Sequence, residues 1–166
     1  MEKNSRKSLI MKNSDTITIT TNENGTPYTG ILTENYDNEI IHSERTFKDG
    51  YLNGPFRIFY PDGRIFCEGS YNKFKRYEGI FKQYDENGHL KIEESYINGI
   101  KNGTFKFYKD GQLKLEGYHK DGKVDGVCKT YDDNGKFLYE LTYKNDKPII
   151  KKWTLQTPTE ILYSSN

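Results

Sequence analysis

The chain repeats itself about every 24 residues, and this period constrains its fold more than any single motif. Glycines spaced by 24, 25, 24 and 23 residues mark the starts of the units: Gly30, Gly54, Gly79, Gly103 and Gly126. Most units read Gly-x-Phe-x-x-Tyr, then Asn-Gly or Asp-Gly, then a Leu/Ile-rich run with a Glu, then a second turn. Self-similarity at this length indicates stacked repeats, in which each unit buries its apolar face only against its neighbours.

The residue types within each unit favour strands. The chain has no alanine, the best helix former, but it has 24 aromatic residues and 15 glycines. Two turns per period leave room for two short strands. We therefore predict an all-β fold: an elongated, single-layer antiparallel meander of tandem β-hairpins, with about five units of ~24 residues.

Asn-Gly and Asp-Gly pairs favour type I′ hairpin turns, because both central residues then need positive φ. One series of such pairs is Asn24-Gly25, Asp62-Gly63, Asn87-Gly88, Asp110-Gly111 and Asn134-Gly135. A second series is Asp49-Gly50, Asn53-Gly54, Asn98-Gly99, Asn102-Gly103, Asp121-Gly122 and Asp125-Gly126. We expect all of these pairs to be turns.

Residues at i and i+2 of a strand share one face, so alternation separates the two faces of the sheet. In the second strand of each unit Cys67, Ile92 and Leu115 fall on the predicted buried face, and a column of Glu falls on the other: Glu44, Glu68, Glu93, Glu116 and Glu140. Cys67 and Cys128 are predicted to be buried small hydrophobes. In the first strand, Phe81 and Tyr84 are three apart, which predicts aromatic side chains on both faces.

The chain divides into three predicted parts. Residues 1–14 lack any pattern and are expected to be disordered, residues 15–147 form the repeat domain, and residues 148–166 form a cap. Trp153 and Leu155 belong to the different apolar set of this cap. No run is long enough for a secretory leader or a membrane span, which predicts cytoplasmic residence.

The ionisable residues show no pattern typical of a catalytic, metal or nucleic-acid site. His42, His89 and His119 lie in different units, and no phosphate loop or nucleophile motif occurs. The Asp- and Asn-rich turns suit turn chemistry better than calcium, which takes six to eight oxygen ligands. A Glu that recurs in every unit is structural, since catalysis needs one special pair. The net charge of +1 gives no footprint for nucleic acid. We predict a protein that is not an enzyme and has no cofactor or metal.

A column of tyrosines has two interpretations. Its predicted members are Tyr60, Tyr84, Tyr108 and Tyr131, with Phe59 as an alternative to Tyr60. They either pack one unit against the next or form an exposed strip that binds a partner, since tyrosine is a common anchor of protein interfaces.

The repeated run resembles the MORN family, in its bacterial variant form. The matching pattern is Tyr-x-Asn-Gly-x-x-Asn-Gly-x-Phe-Lys-x-Tyr, which here runs from Tyr96 to Tyr108 and recurs from Asp121 to Tyr131. The resemblance covers about residues 30–147. It departs from the pattern at 72–78, which lacks the turn glycine, at Cys128, which replaces the Phe, and at Asn38-Glu39 in the first unit.

This resemblance implies an elongated, non-enzymatic binding module that recognises a partner protein, in the antitoxin-like version a toxin or effector. A carbohydrate- or lipid-binding surface module is the alternative. The YD repeat of large toxin shells is a rival, because Tyr84-Asp85 and Tyr131-Asp132 fit its core. Those shells need far longer chains, and Tyr60-Pro61 breaks the dipeptide.

Overall fold

The computed structural model describes residues 6–12 and 15–149, with side chains from Thr20 onward. Within these residues fourteen strands form two sheets, a hairpin of the first two strands and a meander of the other twelve. The strands are β1 Arg6–Lys12, β2 Asp15–Thr21, β3 Gly30–Asn35, β4 Ile41–Lys48, β5 Tyr51–Phe59, β6 Ile65–Tyr71, β7 Gly79–Tyr84, β8 Leu90–Ile97, β9 Ile100–Lys109, β10 Gln112–Lys120, β11 Lys123–Val124, β12 Gly126–Tyr131, β13 Phe137–Lys144 and β14 Lys147–Pro148. No helix that could cross a membrane occurs among these residues.

The strands from β3 to β14 form one open, twelve-stranded antiparallel sheet in which pairing follows chain order. The short strand β11 pairs with β10 beside β12. Apart from the β10–β12 pair, each described strand of this sheet therefore pairs with its neighbours in sequence, as stacked units require. The predicted all-β, single-layer meander of hairpins is confirmed.

The N-terminal segment differs from its prediction. Strand β1 lies within residues 1–14, which were expected to be disordered, and it pairs with β2 over seven residues from Arg6↔Thr21 to Lys12↔Asp15. The alternating strand β2 offers an unpaired edge that this segment satisfies with backbone hydrogen bonds. Residues 1–5 and 13–14 lie outside the described residues, as does the predicted cap beyond Ile149.

Only part of the turn prediction is correct. Both central residues have positive φ at Asp49-Gly50, Asn98-Gly99, Asp110-Gly111 and Asp121-Gly122, as a type I′ turn requires. At Asn24-Gly25, Asp62-Gly63, Asn87-Gly88 and Asn134-Gly135 only the glycine does. These loops are longer. Gly88 N donates to Asp85 O at 2.9 Å, which is a type I turn followed by a left-handed glycine.

The pairs Asn53-Gly54 and Asn102-Gly103 are not turns, because both lie inside long strands. Register places Glu94 opposite Phe105 and Tyr96 opposite Lys101. The single residue Ser95 therefore faces residues 102–104, and β9 bulges at Gly103. A Cβ on Gly103 would lie 2.7 Å from Ser95 Cβ, and φ there is 117°. The third such pair, Asp125-Gly126, separates β11 from β12.

The core is a layer of side chains on one face of the sheet, which we call the aromatic face. Register aligns one row across it: Leu32, Arg45, Phe56, Gly69, Phe81, Glu94, Phe105, Gly117, Cys128 and Leu141. Ring pairs tie this row to the next, with centroids 4.7 Å apart for Phe56–Tyr71 and 4.4 Å for Phe105–His119. Edge and tilted ring contacts of this kind stabilise the sheet beyond area burial alone.

Both cysteines belong to this layer, and their predicted burial is confirmed. Burial raises the pKa of the Cys67 thiol to about 11 and that of Cys128 above its usual value. A thiol that stays protonated at neutral pH is a poor nucleophile and metal ligand. The two side chains therefore act as small apolar groups.

Candidate functional site

The opposite face of the sheet carries a row of alternating charges, and we call it the ladder face. Register places one charged residue from each of nine successive strands in line: Glu44, Arg57, Glu68, Lys82, Glu93, Lys106, Glu116, Lys129 and Glu140. Every acidic member is flanked by cationic ones on the adjoining strands, apart from the two ends. Neighbouring strands are about 4.8 Å apart. The sign of the charge therefore alternates along this row with about that spacing.

The charges of the ladder pair loosely. Arg57 lies 3.6 Å from both Glu44 and Glu68, and Glu93 lies 3.8 Å from Lys82 and 3.6 Å from Lys106. Exposed pairs at such distances contribute about 0–1 kcal/mol each. The ladder is therefore a charge pattern at the surface more than a source of stability.

The predicted structural role of the Glu column is consistent with these contacts. The facing cations were not recognised from the sequence as a column. A signal was nevertheless present, because each cation stands three residues after a unit glycine: Arg57, Lys82, Lys106 and Lys129 follow Gly54, Gly79, Gly103 and Gly126. Strand pairing then brings each of them beside a Glu.

Three of the four predicted tyrosines form one column on the ladder face. Tyr84, Tyr108 and Tyr131 pair with Leu90, Leu113 and Phe137, and the equivalent pair in the preceding unit is Phe59 with Ile65. Tyr60 thus lies one residue outside the column. Its hydroxyl donates to the Tyr84 carbonyl at 3.0 Å, as the Tyr36 hydroxyl does to Phe59 at 2.6 Å.

Two tyrosines of this column donate hydrogen bonds to glutamates of the charged row. The Tyr84 hydroxyl donates to Glu68 Oε1 at 2.9 Å, and the Tyr131 hydroxyl donates to Glu116 Oε1 at 2.7 Å. Burial, followed by the Glu68 carboxylate, raises the pKa of Tyr84 to about 12. The bond to Glu116 raises the pKa of Tyr131. These rings stay neutral hydrogen-bond donors at any physiological pH.

Tyr108 lies in the same column but differs from Tyr84 and Tyr131 in its hydrogen bonding. Its ring is half-buried, and within the described residues its hydroxyl has no hydrogen-bond partner. Desolvation raises the pKa of this hydroxyl. Tyr108 therefore combines a fixed aromatic ring with a hydroxyl that is free to meet a partner, which is the usual chemistry of a tyrosine anchor.

An apolar row runs beside the charges on the ladder face. Its members directly follow the unit glycines: Ile31, Pro55, Ile80 and Val127, with the polar Thr104 at the same position of the remaining unit. Small hydroxyl side chains such as Thr46 and Ser70 alternate with them on the second strands. The result is a series of shallow grooves, one of which is floored by Pro55, Ser70 and Ile80 and bordered by Arg57 and Lys82.

The aromatic face, in contrast, satisfies its own polar groups. Glu94 is only 5 % exposed, yet its carboxylate accepts from Lys101 Nζ at 2.6 Å and from the Tyr96 hydroxyl at 2.8 Å. His119 is buried against Phe105, which lowers its pKa, with nearby Lys101 acting in the same direction. Charged side chains that are fully engaged in this way leave little for a partner to bind.

The described residues do not assemble a reactive centre. His42, His89 and His119 remain in separate units, and the described part of the chain has no group of three or more His, Cys, Asp or Glu placed to hold a metal ion. The ladder face offers a partner alternating charges, apolar side chains and tyrosine rings. This arrangement suits recognition of another molecule.

The comparison with protein families agrees with the geometry. Three segments match the family model described as MORN repeat variant: residues 52–73, 77–98 and 124–145. No curated protein shows significant similarity to the chain. The matched segments contain the hairpins β5–β6, β7–β8 and β12–β13, and β9–β10 has the same register between them. MORN repeats are non-catalytic and generally mediate binding to proteins or membrane lipids. Three of the four hairpin units from β5 to β13 are thus matched by the MORN repeat variant, and the fourth, β9–β10, has the same register.

Proposed function

We propose that the chain is a non-catalytic recognition module that binds a partner protein with its ladder face. The observation that carries this proposal is the unbroken alternation of charge over nine strands beside an apolar row and a tyrosine column. Charges arranged in this way fix the register of a partner and exclude partners of the wrong pattern. The apolar row and the tyrosine rings supply area that a partner can bury.

We propose further that the partner is a toxin or effector and that the chain acts as an antitoxin or immunity protein in the cytoplasm. The mechanism would be steric: a rigid ribbon covers the working surface of its partner. What supports this version is the resemblance of the repeats to antitoxin-like members of the family, together with an exposed face that carries no chemistry of its own.

The binding site is tested with the product of the gene adjacent to that of this chain, since antitoxins and immunity proteins are encoded beside their toxins. Tyr108→Ala should weaken binding about tenfold or more in calorimetry, because a truncated tyrosine anchor costs on the order of 2 kcal/mol. Tyr139→Ala is the matched control. It removes a tyrosine of the aromatic face that is more exposed than Tyr108.

The charges are tested in the same assay. Lys82→Gln with Lys106→Gln should reduce the association rate. Lys109→Gln with Lys136→Gln should not, because Lys109 ends β9 and Lys136 lies in a turn, both outside the row of alternating charges. Loss of binding in the Tyr139 variant alone would place recognition on the aromatic face. Absence of any binding to the neighbouring gene product would remove the support for the antitoxin role, and a ligand that proves to be a glycan would overturn protein recognition.

A further inference from the structure

The last long strand of the sheet is exposed where the earlier ones are covered. Four apolar side chains of β13 are 43–53 % exposed: Leu141, Phe137, Tyr139 and Leu138. In the equivalent strands β8 and β10 most of these positions are half-buried or buried, because β9 and β12 pair with the outer sides of those strands. Strand β14 pairs with β13 only at Tyr143 and Lys144. From Leu141 back to Phe137, the outer edge of β13 therefore has no neighbouring strand among the described residues.

The chain turns back along this edge just before the described residues end. Asn145 and Asp146 both have positive φ, and Ile149 N then donates to the Thr142 carbonyl at 2.7 Å. Antiparallel pairing has thus begun at one end of β13. Residues 150–166 continue the chain from this point and lie outside the described residues. They follow directly where the uncovered edge starts.

The sequence from Pro148 continues the pattern of the first strands. In four units a cation stands three residues after the unit glycine and an aromatic residue five after it: Arg57 and Phe59, Lys82 and Tyr84, Lys106 and Tyr108, and Lys129 and Tyr131. Counted from Pro148 in the same way, the cation is Lys151 and the aromatic residue is Trp153. Ile149 and Ile150 take the two apolar positions between Pro148 and Lys151. The segment 148–153 therefore has the sequence of the first strand of a further unit.

The length of the turn region agrees with this alignment. In three units the cation stands seven residues after the second turn residue: Arg57 after Gly50, Lys106 after Gly99 and Lys129 after Gly122. In each of these units a bulge near the unit glycine shifts the register by two residues. Lys151 stands only five residues after Asp146, and no glycine lies between them. Without the bulge, the register of Tyr143↔Pro148 continues until Glu140 lies opposite Lys151.

We propose that residues 148–153 form a further strand on β13, which adds Lys151 to the row of alternating charges and Trp153 to the tyrosine column. Glu140 ends the described row with a cation, Lys129, on one side only, and Lys151 supplies the cation on the other side. Trp153 lies two residues after Lys151 and on the same face, as Tyr131 lies two residues after Lys129.

Pro148 suits the outermost strand of the sheet. Because Ile149 N points at β13, the backbone nitrogen of Pro148 points away from it, where the missing N–H breaks no hydrogen bond. A proline on this outer side also hinders another strand from pairing there. The sheet then ends one strand beyond β13, and the predicted cap is replaced over residues 148–153 by the start of a sixth unit.

The role of Trp153 rests on the proposed function, whereas the strand itself does not. Tryptophan is enriched among the residues that dominate binding at protein interfaces. The new strand places the only tryptophan of the chain on the ladder face, beyond the last tyrosine of the column. The surface that a partner protein contacts therefore extends to the end of the sheet, and Trp153 is its terminal anchor.

The first test is a disulfide across the two strands in the full chain. Tyr139→Cys with Lys152→Cys places two thiols on directly opposite residues, and mild oxidation should join them within one chain. Tyr139→Cys with Thr154→Cys is the matched control, because those two residues are opposite only in a register that contains the bulge. Peptide mapping distinguishes the new bond from any bond to the native Cys67 or Cys128. A bond in the Thr154 pair alone, or a bond that joins two chains, would overturn the strand.

Hydrogen exchange tests the same strand without any substitution. Residues 149 and 151 share the backbone direction that faces β13, whereas residue 152 faces solvent. The Lys151 amide should therefore exchange more slowly than the Lys152 amide. Equal exchange of the two amides would contradict pairing with β13.

The anchor is tested by calorimetry with the product of the adjacent gene. Trp153→Ala should weaken binding about tenfold or more, and Trp153→Phe should retain most of the affinity. Lys151→Gln should reduce the association rate, whereas Lys152→Gln, on the opposite face, should not. Unchanged affinity in Trp153→Ala, alongside weakened binding in Tyr108→Ala, would overturn the anchor and leave the proposed function standing. The disulfide and the exchange pattern need no partner, so they decide the strand independently of the proposed function.

Discussion

At the scale of single residues, the aromatic face depends on two places where a side chain is missing. Gly69 and Gly117 stand in the central row with ordinary negative φ, so conformation does not require glycine there. Space does. The ring of Phe56 lies over Gly69, and Phe105 and Cys128 meet over Gly117.

Gly117→Ala tests this close approach. A Cβ there would lie 2.5 Å from Phe105 Cζ and 2.6 Å from Cys128 Sγ. Overpacking of this kind costs about 1–3 kcal/mol, and we expect a lower urea midpoint with an unchanged slope. Gly69→Ala is the milder comparison, since its nearest contact is Phe56 Cε1 at 3.0 Å. Combining Gly117→Ala with Phe105→Leu should cost less than the two changes added together. Strict additivity would show that the glycine has another role.

Tyrosines with raised pKa values, Tyr71 and Tyr84 among them, make the stability fall in alkaline solution. Burial raises the pKa of Tyr71 and of Tyr84 to about 12, whereas an unfolded tyrosine ionises near 10. Both states are neutral below pH 10, so the stability is complete there. Above pH 10 the unfolded chain ionises first, and the stability is lost progressively up to about pH 12.

Urea midpoints should therefore stay constant up to about pH 10 and decline from there to about pH 12. Tyr84→Phe should lower stability at neutral pH by about 1 kcal/mol, the usual net value of a hydrogen bond, and should make the alkaline decline shallower. Tyr108→Phe should leave the neutral stability nearly unchanged. An equal loss in the two variants would contradict the difference between their hydroxyl groups.

At the scale of elements, much of the hairpin architecture could be predicted, and the turn types could not. The alternation of Cys67 with Glu68 and the spacing of Phe81 from Tyr84 correctly indicate which face each side chain occupies. The dipeptide Asn-Gly suits both a type I′ turn and a left-handed glycine after a type I turn, and loop length decides between them. At Asn102-Gly103 a facing strand converts the same dipeptide into a bulge.

Substitutions at Gly88 separate the effect of turn conformation on stability from the effect of packing. Its φ is +84° and nothing lies within 4 Å of a Cβ built there, so a substitution strains the backbone alone. Gly88→Val should lower the melting temperature, at a cost of about 1–2 kcal/mol for a left-handed backbone. Gly88→Asn should be tolerated better, since Asn adopts this conformation readily. Equal melting temperatures for the two variants would contradict the left-handed assignment.

The candidate site was predicted only in part, and the reason lies in strand pairing. The tyrosine column was recognised because its members share a sequence pattern, but Phe59, five residues after Gly54, holds the position that Tyr84 holds after Gly79, and Tyr60 lies one residue beyond it. The ladder needs the register of nine strands before its charges are seen to alternate. That alternation is not local to one unit, and a single unit is all that a sequence motif describes.

At the scale of the whole molecule, stability should be distributed unevenly along the sheet. Side chains of the middle strands are mostly buried or half-buried, whereas Phe137, Leu138, Tyr139 and Leu141 of β13 are all exposed. Strands that bury little apolar surface open with little free energy.

Hydrogen exchange measures this distribution directly. The amides of β8, β9 and β10 should exchange slowest and those of β13 much faster, because each unit depends on neighbours on both sides. The exchange pattern of the bulged strand β9 should be unaffected by changes in β13. Uniform protection from β3 to β13 would show instead that the sheet unfolds as a single cooperative unit.

The turns along one long edge of the sheet are mostly basic, as at Lys73 to Arg76, and those along the other are mostly acidic, as at Asp85-Glu86 and Asp132-Asp133. These opposite charges act before any contact is made. A ribbon that is nearly neutral in total, yet basic along one border and acidic along the other, has an electric dipole directed across its width. Near a charged body such a molecule feels a torque as well as a force, so it turns while it is still approaching. Its first collision is then made with one border in front, and the search for a correct orientation is shortened.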